Sequence, residues 1–460
     1  MKLDQIHTIY FIGIGGIGMS ALARYFHSCG VRVAGYDRTA TELTRTLEAE
    51  GMEVRYQADV STLPKGVDLV VYTPAVPASH AELQWFRSEN YPVMKRSEVL
   101  GIISADMRTV AIAGTHGKTT TSTLTTHLLR SSGTDCNAFL GGVARNFSSN
   151  FVAGSSDWIV VEADEYDRSF LTLHPDIAAI MAMDPDHLDI YGDAQSLLNT
   201  GFLAFADQLK EGGTLLVKAG LEKHFAGRQR VETFGIGMGD YRATNLRVAD
   251  GYFVFDFISS DYQIPALRHP HPGRHNVENA LAAITIAMKL GASPEQIRQG
   301  LLDFRGIGRR FEFIVREPDL VYIDDYAHHP TELKAAIGAA RELYPGRKLT
   351  GIFQPHLFSR TQDFAADFGA ALDELDEILL LDIYPAREAP IPGISSRTIA
   401  DHMKNPKLEL LTKEEVLPAL ARRKLEVVLT LGAGDIDTLV EPIKTLVKAG
   451  HDLPQQKKNG

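Results

Sequence analysis

Cysteine is scarce: the 460 residues contain two, Cys29 and Cys136, far apart and in no CxxC arrangement. A disulfide framework and a thiolate zinc site are thereby excluded. Positive charge is also in deficit, with 47 Lys and Arg against 58 Asp and Glu and a formal net charge of -11. Most of such a surface repels a polyanion, so a nucleic-acid partner and a lipid surface are not expected, and any basic site must be a local pocket. No uninterrupted apolar stretch approaches the roughly 18 residues that a membrane span needs. The first ten residues carry one Lys and one Asp, and the apolar run that follows is broken by Gly13, Gly15, Gly16 and Gly18. Neither a signal peptide nor a membrane anchor is expected there, and a cytoplasmic enzyme is.

What is present is ordinary globular material, 44% hydrophobic and 23% charged, which is enough for several cores and excludes disorder over most of the chain. At roughly 100 to 200 residues per domain, the length predicts about three domains.

Three times a strand-like run feeds into a glycine-rich turn: TIYFIGIGGIG from Thr8, TVAIAGTHGK from Thr109 and VVLTLGAGD from Val427. A buried parallel strand, a glycine turn and a helix N-terminus together make a phosphate-binding unit, because free backbone N–H groups and the helix dipole face the anion. Between these turns short apolar runs alternate with amphipathic stretches, the pattern of parallel sheets covered by helices. The stretch YFVFDFISSDYQIPALR is hairpin-like instead and predicts an antiparallel sheet edge. The expected fold is α/β with three domains: Rossmann-like over 1–106, a P-loop ATPase-type mostly parallel sheet over 107–316, and Rossmann-like again over 317–460.

In the first turn, Gly13, Gly15, Gly16, Ile17 and Gly18 follow a strand and open a helix, with Asp37 after the next strand. That is the dinucleotide fingerprint, and it points to NAD. Physically the loop requires only a closely approached pyrophosphate, which a nucleotide-diphosphate sugar also carries. No separate dehydrogenase module follows it, which weakens the NAD reading.

The second turn, Gly114, Thr115, His116, Gly117, Lys118, Thr119 and Thr120, has the working end of a P-loop. Lys118 is suited to bridge transferring phosphates and the Thr119 hydroxyl to meet Mg2+. The loop is short, since Ile112 stands where an earlier glycine is usual. In WIVVEADEYDRSFL, Glu162 ends an apolar run, where a carboxylate can reach a metal ion held between phosphates; Asp164, Glu165 and Asp167 are ambiguous, reading either as further ligands or, more readily, as caps or solvated loop charges.

The octet GTHGKTTT resembles the ATP-binding loop of the Mur ligases, which join an amino acid to a UDP-linked muramic acid during peptidoglycan synthesis, and the resemblance spans essentially the whole chain. His116, where other members tend to carry Asn, resembles the branch that adds L-alanine and the branch that recycles a tripeptide. The resemblance implies that Glu162 and His187, in DPDHLD, bind Mg2+, that Asn276 and Asn279 in HNVENALAA bind the adenine, and that Arg310 and Asp325 reach ATP phosphates and ribose. It implies catalytic roles for Lys118 and, through a second Mg2+, for His187, and an amino-acid site from Tyr326, His328, His356 and Arg360. Leu357 stands where related enzymes often carry Arg, Arg309 reads as a solvated neighbour and His329 as a helix-entry residue. The first loop, Asp37, the YTPAVP turn at Thr73 and Ala75, and His116 would then take the UDP-sugar.

The reaction so implied is ATP-driven amide formation between UDP-N-acetylmuramate and L-alanine by a monomer or homodimer. Tripeptide attachment to the same nucleotide is the near rival. An NAD-linked oxidoreductase and a non-catalytic nucleotide-binding regulator are the distant ones.

Overall fold

The computed structural model describes residues 3–185, 188–386 and 388–451. Its first layer begins with β1 (Thr8–Ile12), whose β-branched and aromatic residues are buried from the second onward, as a strand covered on both faces requires. Then come α1 (Ile17–Ser28), β2 (Arg32–Tyr36), α2 (Glu42–Ala49), β3 (Glu53–Arg55), β4 (Leu69–Tyr72), α3 (Ala81–Ser88), β5 (Val93–Lys95) and α4 (Arg96–Asp106). The parallel sheet has the order β3-β2-β1-β4-β5. Strand order reverses between β1 and β4, and such a switch opens a crevice at the carboxyl ends of those two strands.

The second layer is a ten-stranded sheet. It comprises β6 (Arg108–Ala113), β7 (Asn137–Ala144), β8 (Ser149–Val152), β9 (Trp158–Ala163), β10 (Ile177–Ile180), β11 (Thr214–Lys218), β12 (Val231–Ile236), β13 (Tyr241–Ala249), β14 (Tyr252–Ile258) and β15 (Gln263–His269), in the order β15-β14-β13-β12-β11-β10-β6-β9-β7-β8. The core run from β12 through β7 is parallel. The hairpin-like stretch forms the edge pair β14 and β15, joined by a turn that Ser259 N–H closes on the Tyr262 carbonyl at 2.8 Å. The helices of this layer are α5 (Lys118–Ser131), the short α6 (Leu188–Tyr191), α7 (Ala194–Leu197) and α8 (Ala204–Ala206), then α9 (Arg274–Lys289) and α10 (Pro294–Asp303).

The third layer holds β16 (Glu312–Arg316), β17 (Val321–Asp325), α11 (Pro330–Leu343), β18 (Leu349–Phe353), α12 (Phe358–Leu372), β19 (Glu377–Leu381), α13 (Ser396–Ala400), β20 (Leu408–Leu411), α14 (Lys413–Ala421), β21 (Val427–Leu431) and α15 (Val440–His451). Its sheet order is β16-β17-β21-β18-β19-β20, parallel except for β16. β16 ends at Arg316, so the boundary expected after residue 316 falls behind the layer's first strand rather than before it.

Three sheets are thus present, as the sequence predicts, but they form two compact units. One is 1–246, 255–268 and 278–306; the other is 247–254, 269–277 and 307–460. The first two layers merge because α1 packs on β7 and β8. Tyr25 of α1 meets Phe139 and Phe151 at ring-centroid distances of 5.4 and 6.1 Å, inside one apolar cluster that runs from Ile6 to Phe225. Asn150 of β8 reaches the first turn of α1, donating to the Ser20 hydroxyl at 2.9 Å and to the Ile17 carbonyl, and Arg24 of the same helix donates back to its side-chain oxygen. Among the described residues no helix is long and apolar enough to cross a membrane.

The third glycine turn is closely approached by the loop after β18. A Cβ on Gly432 would lie 2.7 Å from the Gln354 carbonyl, and one on Gly434 would lie 2.4 Å from Gln354 Oε1. The Ile436 N–H donates to that same oxygen at 2.9 Å. These glycines admit a neighbouring loop, which is another physical reason for a residue without a side chain.

Candidate active site

At the crevice of the first layer, the turn after β1 is held by Gly13 and Ile14 N–H groups donating to the Tyr36 carbonyl at 2.7 and 3.0 Å. Gly13 has φ +87°, and a Cβ on it would come within 2.9 Å of Thr73 Cγ2, so β1 and β4 exit side by side only with glycine here. The Gly15 N–H donates to Asp37 Oδ2 at 2.8 Å, while the Thr39 N–H donates to Oδ1 at 3.0 Å. Asp37 therefore braces the loop. Gly16 caps α1, Ile17 and Gly18 form its first residues, and Ala75 lies in the turn closed by Val76 N–H on the Thr73 carbonyl at 3.0 Å. The predicted UDP-sugar residues of this layer thus converge on one end of β1, β2 and β4.

In the second layer β6 runs straight into the P-loop, and Ile112 is a fully buried strand residue, which is why no glycine is needed there. Gly114 has φ +130°, with its would-be Cβ 2.8 Å from the Ala182 nitrogen. Thr115 N–H donates to the Ala182 carbonyl at 3.1 Å, and His116 Nε2 stands 3.3 Å from Asp184 Oδ2. Gly117 is left-handed at φ +82°, and a Cβ on it would lie 2.5 Å from Asn279 Oδ1. Asn279, predicted for adenine, is thereby placed at the P-loop. Asn276 donates to the Pro272 carbonyl at 2.7 Å in the first turn of α9.

Lys118 and Thr119 open α5, followed by Thr120. Lys118 Nζ donates to the Gly114 carbonyl at 2.8 Å and to Glu165 Oε2 at 2.7 Å, with Asp164 Oδ1 at 3.8 Å. Burial alone would lower the ammonium pKa, but the carboxylates of Glu165, Asp164 and Glu162 outweigh it, and Lys118 stays charged well above ordinary pH. Glu165 is fully buried, so it is not the solvated loop charge or cap that the sequence suggests. Its carbonyl accepts from the Tyr191 hydroxyl at 2.8 Å. The turn beyond it stores strain, with Asp167 and Arg168 both left-handed at φ 52° and 55°. Asp167 itself pairs with Lys95 at 3.3 Å.

Thr119 Oγ1 donates to Glu162 Oε1 at 3.0 Å, and the Gly141 N–H donates to Oε2 at 3.0 Å. A hydroxyl and a carboxylate are hard oxygen donors, and Mg2+ is commonly held by one or two such groups plus phosphate oxygens and water. The donor set beside the P-loop fits that ion, although among the described residues no group of three or more His, Cys, Asp or Glu forms a metal cluster. His187 lies outside the described residues.

In the third layer the loops after β17, β18, β19 and β21 meet. Tyr326, His328, His356 and Tyr384 form a chain of rings with successive centroid distances of 5.3, 5.9 and 5.9 Å. The guanidiniums of Arg309 and Arg310 lie 5.2 and 5.1 Å from the Tyr326 centroid. Arg360 stands in the first turn of α12, just past Leu357, which takes φ 71° and is buried. Arg309 is no solvated neighbour: its Nε donates to the buried Asp324 at 3.1 Å and its Nη2 to the Gly432 carbonyl at 2.6 Å. His329 caps α11, accepting from the Thr331 N–H at 3.3 Å. Asp325 accepts from the Phe311 and Ala327 N–H groups, both at 2.7 Å. Burial pushes its carboxyl up to about 6, against the pull of Arg310 and the two N–H donors.

The layers and loops define an α/β fold of the nucleotide-binding type, and the comparisons with known proteins bear on which family it belongs to. Models of the Mur ligase family match residues 8–108 (catalytic domain), 112–287 (middle domain) and 309–434 (glutamate ligase domain). The chain is 48% identical over 456 residues to a UDP-N-acetylmuramate–L-alanine ligase of Parabacteroides distasonis, covering 97% of this chain and 98% of the relative. It is 49% identical over 447 residues to the same-named protein of Porphyromonas gingivalis strain W83, covering 95% and 98%. A solved UDP-N-acetylmuramate-alanine ligase from Thermotoga maritima superposes with a TM-score of 0.80 at 28% identity, covering 96% of this chain and 99% of that one. A murein peptide ligase from Psychrobacter arcticus shares the fold, with a TM-score of 0.69 at 22% identity and coverage of 96% and 98%. The chain belongs to the Mur ligase family.

Proposed function

We propose that the chain is an ATP-dependent ligase that joins L-alanine to the lactoyl carboxylate of UDP-N-acetylmuramate in peptidoglycan precursor synthesis, working in the cytoplasm. The observation that carries this reading is the presence, within one compact unit, of a pyrophosphate-type loop after β1 and a lysine-bearing ATP loop after β6. A dehydrogenase has no use for the second loop.

In this reading the three layers divide the labour, with UDP-sugar capture in the first, ATP activation in the second and amino-acid delivery in the third. A carboxylate is a poor electrophile. Its oxygen attacks the γ-phosphorus of ATP, ADP leaves, and an acyl phosphate results. Lys118 supplies fixed positive charge to the transferring phosphoryl group, a task of positioning and electrostatics rather than covalent work by the protein. Thr119 and Glu162 would hold Mg2+, which contributes Lewis-acid neutralisation of phosphate charge. The neutral amine of L-alanine then attacks the acyl carbon, phosphate departs, and the amine proton passes to solvent or to a nearby base. Arg360 suits the alanine carboxylate, since guanidinium pairs bidentately with it, and Tyr326, His328 and His356 wall the same loop cluster.

Phosphate release from ATP and Mg2+ is expected only when UDP-N-acetylmuramate and L-alanine are both present. L-Ala-γ-D-Glu-diaminopimelate in place of L-alanine should give none, and turnover with that tripeptide would move the assignment to the recycling branch.

Asp325, assigned here to the ATP ribose, yields a pH prediction. Its folded pKa of about 6 lies above the unfolded value near 4. The stability it contributes is present below about pH 4 and lost as pH rises through about 6. The ionised form is the better acceptor for a ribose hydroxyl, so KM for ATP should rise as pH falls through about 6. Asp325→Asn should flatten that inflection; an identical inflection in the variant would remove Asp325 from the ribose.

A further inference from the structure

Arg96 is the first residue of α4, immediately after β5, and was assigned no role by the sequence. Its side chain lies against the N-terminal turn of α1: a Cβ built on Gly18 would meet Arg96 Cδ at 3.1 Å and Nε and Nη1 at 3.2 Å. Any side chain at position 18 would press on the guanidinium and shift it by a few tenths of an ångström. The neighbouring cation Lys95 is paired with Asp167, and Arg24 of α1 is paired with Glu50 at 2.8 Å. Arg96 differs from both, because it has neither a hydrogen bond nor an ion pair with any described residue. Glu162 and Asp164 act on it only as charges from a distance, and burial works against its charged form.

The guanidinium of the half-buried Arg96 carries five N–H donors, and those turned away from water are costly to leave without acceptors. Such a group is retained where an anion arrives. The anion best placed is one seated on the glycine turn, because the α1 N-terminus and the guanidinium address the same space and both favour negative charge.

We propose that Arg96 binds the diphosphate of the nucleotide sugar at the first glycine turn, completing from the side a cradle that the backbone N–H groups form from below. This assignment rests on the UDP-sugar reading of that turn. Arg96 also explains how a turn whose Gly15 N–H is already given to Asp37 holds a dianion: the guanidinium supplies donors that the loop lacks.

The test is calorimetric binding of UDP-N-acetylmuramate, and of its methyl ester at the lactoyl carboxylate, to wild type, Arg96→Gln and Arg96→Lys. Arg96→Gln is expected to weaken both ligands by the same factor, about 10- to 100-fold, while Kd for ATP changes less than about threefold. Arg96→Lys should recover part of the loss, since it restores charge without the fork. Loss confined to the free acid would overturn the proposal in favour of a carboxylate contact. Unchanged affinity for both ligands, or an equal loss for ATP, would overturn it in favour of a structural role. Thermal unfolding of the variants without ligand separates misfolding from lost binding. Should wild type bind neither UDP compound, the reading of the turn itself fails, an outcome distinct from the failure of Arg96.

Discussion

Replacement of Lys118 by alanine is expected to lower kcat by about 10²- to 10³-fold, the usual loss when one preorganised charge donor is removed from a transition state. UDP-N-acetylmuramate binding should be nearly unchanged, because the first glycine turn lies in a different layer. The same substitution should also destabilise the protein. Glu165 is fully buried and Lys118 is 13% exposed in their ion pair, and removing one member of such a pair leaves a buried charge at a cost of about 3–5 kcal/mol. The double variant Lys118→Ala/Glu165→Gln separates the two effects. It should regain much of the stability, since no uncompensated charge remains, and none of the activity. Steady-state kinetics and urea unfolding on the three proteins read this out. A double variant that regains turnover would remove Lys118 from phosphoryl transfer.

The second large effect concerns Glu162. Glu162→Gln should reduce kcat by about 10²-fold or more, because an amide replaces the charge that would hold Mg2+ against the ATP phosphates. A subtler variant reaches the same carboxylate from outside. A Cβ on Gly141 would fall 2.2 Å from Glu162 Oε2, so Gly141→Ala must push the carboxylate off its hydrogen bonds to the Gly141 N–H and Thr119. Displacing a ligand in this way typically costs 10- to 100-fold in metal affinity. Gly141→Ala should therefore raise the Mg2+ concentration for half-maximal activity by that factor and leave kcat at saturating Mg2+ within a few-fold. Titration of activity against Mg2+ decides it, and an unshifted midpoint would argue against Glu162 as the ligand.

The parts of this protein that were legible in sequence share a property: their requirement is local. A positive-φ turn after a strand demands glycine at 13, 114 and 117, and a helix start demands the residues that follow, so both glycine turns and the α/β class are legible directly. Roles created by tertiary approach were not legible. Glu165 looks like any acid in an acidic loop until it meets Lys118, 47 residues away. Arg309 looks solvated until the end of β17 brings Asp324 beneath it. The third glycine turn is ambiguous for the reverse reason, since close approach by a phosphate and close approach by Gln354 make the same local demand. Sheet number was readable from strand runs, whereas the merging of the first two layers depends on Tyr25, Arg24 and Asn150 meeting across a long sequence separation.

That junction has a consequence for how the chain unfolds. With Asn150 engaged in the first turn of α1 and the aromatic contacts of Tyr25 shared between sheets, neither layer keeps its core intact when the other is removed. A fragment ending at residue 106 would expose the apolar face that α1 presents to β7 and β8, and it should aggregate or remain a molten globule rather than serve as a portable UDP-sugar-binding module. In the full chain the glycine turns after β1 and β6 should lose protection against hydrogen exchange together, as one cooperative block.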